Sequence, residues 1–210
     1  MNNSLVASIL VKGGFFVYPI LICSVTALAI FLKKFFVTNE KNILPATFLV
    51  KLNTLVDNNK HEEALELCKN NQSVFSNIAS VILTNKDSSL DDLERIVDDE
   101  GSKQVFLVSK NNEMLGSLSN ISTLLGLLGT ISGMITVFGV ISSQPVVDPP
   151  SLAGGISEAL YTTAFGLMVA IPSFIGYKFI SNRISEISVN LQNESKKLIL
   201  KARKMSWFIN

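Results

Sequence analysis

The stretch LAGGISEALYTTAFGLMVAIPSFIGY, residues 152–177, holds a single charged residue, Glu158, and is closed by Lys178. A run this long and apolar reads as a helix that crosses a membrane. A carboxylate in hydrocarbon is costly, so Glu158 is expected to face a partner, a water-filled cavity or an ion path. At about 100° per residue from Glu158, Thr162 falls near 40°, Ser173 near 60°, Gly166 near 80°, Tyr177 near 100° and Ala170 near 120°. Half of this helix is thus small or polar. Leu160, Phe165, Leu167, Val169, Ile171 and Ile175 form a bulky remainder suited to lipid or to packing between subunits. Pro172 frees the carbonyl of Met168 and predicts a bend.

Two further charge-free runs lie upstream. GGFFVYPILICSVTALAIFL, from Gly13 to Leu32, stands between Lys12 and the pair Lys33 and Lys34. It exceeds the apolar core of a signal peptide and lacks a small-residue cleavage site before the double lysine, so it reads as an uncleaved span. The other run extends from Met114 to Val147, with its apolar heart at Ile121 to Ile141. The expected fold is therefore an all-α integral membrane protein. Three transmembrane helices at 13–34, 117–141 and 154–178 are expected to carry long cytoplasmic helical extensions and a small helical cytoplasmic bundle.

Charge sets the expected orientation. Lys33 and Lys34 follow the first span, and Lys178, Arg183, Lys196, Lys197, Lys201, Arg203 and Lys204 follow the third, whereas the hairpin SSQPVVDPPSLA carries only Asp148. Basic residues stay cytoplasmic. Residues 1–12 and the hairpin 142–153 are thus expected outside, with 35–116 and 179–210 inside.

The net charge of +1 conceals an acidic middle, HEEALELC and DDLERIVDDE, and a basic tail. Acidic faces argue against nucleic acid as a partner, and the basic tail suits anionic lipid headgroups. Cys23 and Cys68 lie in different environments and are expected to be free thiols. His61 is the only histidine, which excludes histidine-based triads and multi-histidine metal sites. GLLGTISG lacks the lysine of a phosphate-binding loop. No enzymatic activity, metal or cofactor is expected, and His61, beside Glu62 and Glu63, is expected to be a solvated surface residue.

Between the first two spans the apolar residues recur at helical spacing: Leu49, Leu52, Leu55 and Val56, then Ala64, Leu65 and Cys68, then Phe75, Ile78, Ala79 and Ile82. Breaks are expected at Asp57 to Asn59 and at Asn70 to Ser73. Leu90, Leu93, Val97, Val105 and Val108 then predict one long helix continuing into the second span, with Gly101 as its weak point. Beyond the third span, Ile180, Ile184, Ile187, Leu191 and Leu198 form a stripe that needs an apolar partner, either that long helix or a neighbouring subunit.

Candidate functional residues gather in the last two spans. Ser122, Gly126, Gly129, Thr130, Ser132 and Gly133 crowd small residues at spacings of three and four, which lets membrane helices approach closely. Gly166 and Ala170 repeat the device in the third span, beside Pro172. The hydroxyls of Thr130, Thr162 and Thr163 either bond to preceding carbonyls of their own helices or line a path with Glu158. Glu158 itself is either an interfacial carboxylate near the helix start or a group on a water-accessible inner surface, with Thr162 one turn away and Thr130 facing it.

A KGG-F-x-x-YP first span, an ALELC helix, LGLLGTISGM and ISEALYTTAFGLMVAIPS, in that order, resemble the ExbB/TolQ/MotA proton-channel family. A single span before the cytoplasmic segment is similar to the ExbB/TolQ branch. The resemblance implies a homopentameric ring in the bacterial inner membrane, enclosing a dimer of a single-span ExbD/TolR-like protein. Proton flow would drive motion of ring against core and pass force, through a TonB- or TolA-like protein, to outer-membrane transport or envelope constriction. It also implies that Glu158 is the proton-path glutamate, Thr163 the threonine of the EALxxTA segment and Thr130 the threonine after LG. Tyr161 and Thr162 depart from the family's small or aliphatic residues, leaving both Thr162 and Thr163 as lumen candidates.

Overall fold

The computed structural model describes residues 14–38, 43–143 and 149–206, and the elements within them are α-helices: α1 (Val17–Val37), α2 (Ala46–Asp57), α3 (His61–Asn70), α4 (Val74–Thr84), α5 (Leu90–Ser109), α6 (Asn112–Ser143) and α7 (Pro149–Ser206). The segment 1–12, expected outside, and the hairpin centre at 144–148 lie outside the described residues. Three stretches among the described residues are long and apolar enough to cross a membrane: Val17–Val37, one within Leu90–Ser143 and one within Leu152–Arg203. The fold is all-α, as the periodicity implies. Two compact units divide it, residues 1–33 with 111–179 and residues 34–110 with 180–210.

In the first unit, α1 buries Val17, Ile20, Cys23 and Ala27 at spacings of three and four, while Ile22, Val25 and Leu28 stay exposed on its other side. That asymmetry gives one protein-facing and one lipid-facing stripe. Pro19 falls in the first turn, where its missing N–H has no intrahelical acceptor. Gly176 of α7 lies under Phe31, and a Cβ there would approach the ring carbon Cδ2 to 2.8 Å.

The second unit is a helical bundle. α3 packs on α2 and α4, and α4 packs on α5. Phe48, Leu52 and Val56 form the buried line of α2, with Leu49 and Leu55 only half-buried beside it. Phe48 meets Phe75 edge-on at 6.4 Å. Ser73 and Ser89 cap α4 and α5, each accepting an N–H at 3.2 Å from the third residue beyond it. The tail of α7 buries Ile180, Ile184, Ile187, Leu191 and Leu198, all five residues of the expected stripe. Its partner is within the chain: a cleft of about 680 Å³ is lined by Ile78 of α4, Val97 and Val105 of α5, and Leu191 and Ile199 of α7. Lys201 fastens the tail to α2 through Asn53 at 2.9 Å and Asp57 at 3.0 Å.

Two expectations are corrected here. The helix from Leu90 does not continue into the second span but ends at Ser109, and it runs through Gly101 without a break. Asn111 takes a left-handed φ of 69°, which asparagine tolerates better than most residues, and α6 begins after it. His61 is not fully solvated: its Nδ1 is buried without a hydrogen-bond partner. Burial and the Lys86 charge hold its pKa below the ordinary value, with Asp87 opposing them.

Lys34, expected as a charge flanking the first span, is buried, and its Nζ donates to the carbonyl of Val108 at 2.7 Å. An ammonium is favourable at the carbonyl-bearing end of α5. Burial pushes the Cys68 thiol up to about 11. Cys23 and Cys68 are both free.

Candidate functional site

Small residues on α6 and α7 meet along an antiparallel seam. Ser119, Ser122, Gly126, Gly129, Gly133 and Val137 recur every three or four residues on α6, and all are buried. Opposite them on α7 stand Gly155, Ala159, Thr162, Gly166 and Ala170. A Cβ on Gly166 would come within 2.7 Å of the Ser122 carbonyl oxygen and 2.9 Å of the Gly126 Cα. One on Gly133 would lie 2.7 Å from the Ala159 Cβ. Gly129 receives the Thr162 side chain. Bulkier residues at these glycines would hold the backbones apart, so the sequence pattern directly permits this close approach.

Hydroxyls fasten the seam. Ser119 Oγ donates to the Ala170 carbonyl at 2.7 Å, and Thr163 Oγ1 donates to the Gly126 carbonyl at 2.8 Å. Thr162, buried under Gly129, bonds within α7 to the Glu158 carbonyl at 2.9 Å. Thr130 is half-exposed and bonds within α6 to the Leu127 carbonyl at 2.6 Å. Around Pro172, α7 continues without interruption, and Ser173 donates to the Val169 carbonyl at 2.7 Å. Such hydroxyls help a membrane helix absorb a proline.

Glu158 is not in the seam. Its side chain is exposed on one flank, against Gly14 at the start of α1. Thr163, five residues on, points about 140° away around α7. Thr130 lies one turn beyond Gly126, whose carbonyl takes the Thr163 hydroxyl, so Thr130 and Thr163 share one side of the seam and Glu158 takes the other. The expected cluster of Glu158, Thr162 and Thr130 on a single face therefore does not form within one chain. Thr162 sits between the two sides, as the close-packed centre.

Sequence reasoning missed Ser119 and Gly155 as seam residues. Ser119 stands three residues before Ser122, so extending the small-residue run by one step would have found it. Gly155 closes the seam at its other end, where a Cβ on it would reach the Val137 side chain at 2.6 Å. At the far end of the apolar run, Lys178 Nζ stands 5.8 and 5.7 Å from the ring centres of Phe174 and Tyr177. Aromatic residues and a basic residue at a helix end suit the membrane interface. No cluster of three or more metal-ligating side chains occurs among the described residues.

The sequence from residue 66 to residue 193, which takes in α6 and most of α7, matches the model of the MotA/TolQ/ExbB proton channel family. The chain belongs to this family. No curated protein matches it. As a MotA/TolQ/ExbB protein it has a general role in proton-coupled energy transduction, and its three apolar helices make it a membrane protein. In this family member Glu158, the one acid between Leu152 and Tyr177, is exposed and stands clear of the close-packed seam.

Proposed function

We propose that the chain is the ring-forming subunit of an ExbB/TolQ-like motor of the bacterial inner membrane, driven by the proton-motive force. Its periplasmic N-terminus and cytoplasmic C-terminus follow from the basic residues at the span ends. A homopentamer encloses the spans of an ExbD/TolR-like dimer, and a TonB- or TolA-like protein carries force onward to outer-membrane transport or envelope integrity. The chain performs no covalent catalysis and needs no cofactor. One observation carries this reading: a lone exposed carboxylate in the otherwise uncharged run from Leu152 to Tyr177 of α7, in a chain of a proton-channel family. A group so placed is costly unless a partner or water meets it, and an ion path supplies both. Extensive exposed apolar surface on α1, α6 and α7 leaves ample area for lipid and for neighbouring subunits.

Within this reading, Thr130 and Thr163 lie on the lumen side and Thr162 holds the helix pair together. A non-conducting scaffold is the second reading, favoured by the carbonyl bonds made by all three threonine hydroxyls. The native mass of the detergent-purified protein, with and without a co-expressed single-span partner, separates the two. A pentamer that captures two partner copies is expected. A monomer or dimer that ignores the partner would contradict the motor.

A further inference from the structure

The apolar pattern predicts one helix from Leu90 into the second span, and the buried residues still follow that pattern although the helix is broken. Leu93, Val97, Gln104 and Val108 of α5 are buried, and Asn112, Leu115, Ser119, Ser122 and Gly126 of α6 continue them. From Gln104 to Gly126 every step is three or four residues, so the buried line keeps its register straight across the break. The chain there reads Ser109, Lys110, Asn111, Asn112, with no proline or glycine to force a stop. Yet Lys110 turns to a ψ of 132°, outside the helical range, and Asn111 is left-handed with a φ of 69°. A left-handed asparagine is less favourable than a helical one, so the break needs something to hold it.

Lys34 is placed to do so. Its neighbours Lys33, Phe35, Phe36 and Val37 are exposed, whereas Lys34 and Thr38, one turn apart, are buried. A lysine can usually extend its stem and keep the ammonium in water. That of Lys34 instead donates to the Val108 carbonyl at 2.7 Å, within one compact unit. In a continuous helix the carbonyls of Val108 to Asn111 would accept the N–H groups of Asn112 to Leu115. At a helix end such carbonyls carry partial negative charge and need other partners, so a buried ammonium favours the broken form over the continuous one.

We propose that the α5–α6 junction is a two-state joint governed by the end of the first span: Lys34 seated at Val108 holds the break, and its withdrawal lets residues 90–143 become one helix. A movement of α1 that pulls Lys34 away thereby acts on the backbone at the entry to α6. The joint rests on geometry alone and stands or falls apart from the motor reading.

Hydrogen–deuterium exchange of the full chain in detergent tests it, read at the amides of Asn112 to Leu115. Lys34→Met is expected to slow their exchange about 10-fold or more, as they gain acceptors one turn back. Asn111→Ala tests the joint without touching the buried lysine. Asn111 is exposed, and alanine there favours helix over the left-handed turn, so the same amides are expected to slow. Adding Asn111→Gly to Lys34→Met is expected to bring fast exchange back, because glycine adopts a positive φ readily. Unchanged or faster exchange at these amides in Lys34→Met, with the interiors of α5 and α6 still protected, would overturn the role of Lys34. Unchanged exchange in Asn111→Ala would overturn the joint itself.

Discussion

Thr162 and Thr163 are adjacent and chemically identical, and their environments differ because one residue turns a helix by about 100°. Thr162 fits under Gly129, and Thr163 reaches the Gly126 carbonyl. Sequence alone left both as lumen candidates, since only the register of α6 against α7 distinguishes them. His61 shows a similar limit. Its acidic neighbours Glu62 and Glu63 suggest solvent, but its Nδ1 is buried. With its folded pKa held below 6.5, the unfolded chain takes up a proton first. The stability linked to His61 is therefore complete above about pH 6.5 and is lost as pH falls through the folded value. Thermal melts should show wild type losing more stability than His61→Gln between about pH 7.5 and about pH 5.5. Parallel curves would place the residue in solvent.

Among the elements, the α6–α7 pair was the most legible, because glycines and serines every three or four residues in an apolar helix have few uses besides close packing. The stripe of α7 beyond the membrane was equally clear, as five apolar residues at helical spacing require a cover. The break between α5 and α6 was not. Asn111 carries no apolar periodicity, and its left-handed backbone leaves no mark in the hydrophobic pattern. Gly101 and Gly166 illustrate why a glycine cannot be interpreted from its letter alone: the first faces open space and the second presses on backbone. Gly166→Ala is expected to destabilise the protein by about 1–3 kcal/mol, as overpacking does. Gly139→Ala, with nothing within 4 Å of its new methyl group, should instead gain up to about 1 kcal/mol of helix propensity. Thermal unfolding of the two variants in the same detergent measures the difference, and similar shifts would deny the seam its tight packing.

For the whole molecule, composition and the order of motifs made the membrane architecture and the family readable. The position of Glu158 relative to Thr130 was not readable, because it depends on which face of α7 packs against α6. Placing the acid and the hydroxyls on opposite sides of one seam means that a path using both must be completed by more than one chain. One proton crossing the membrane releases only about 2.3 kcal/mol per 100 mV, so mechanical work needs several crossings or a sizeable gradient. The most direct measurement is proton flux under an imposed pH gradient, in liposomes holding the assembled complex with its single-span partner, for wild type and for Glu158→Gln. Flux in wild type and its loss in an equally assembled Glu158→Gln complex are expected. Equal flux in both would contradict proton passage through Glu158 and leave the carboxylate a structural contact of α1.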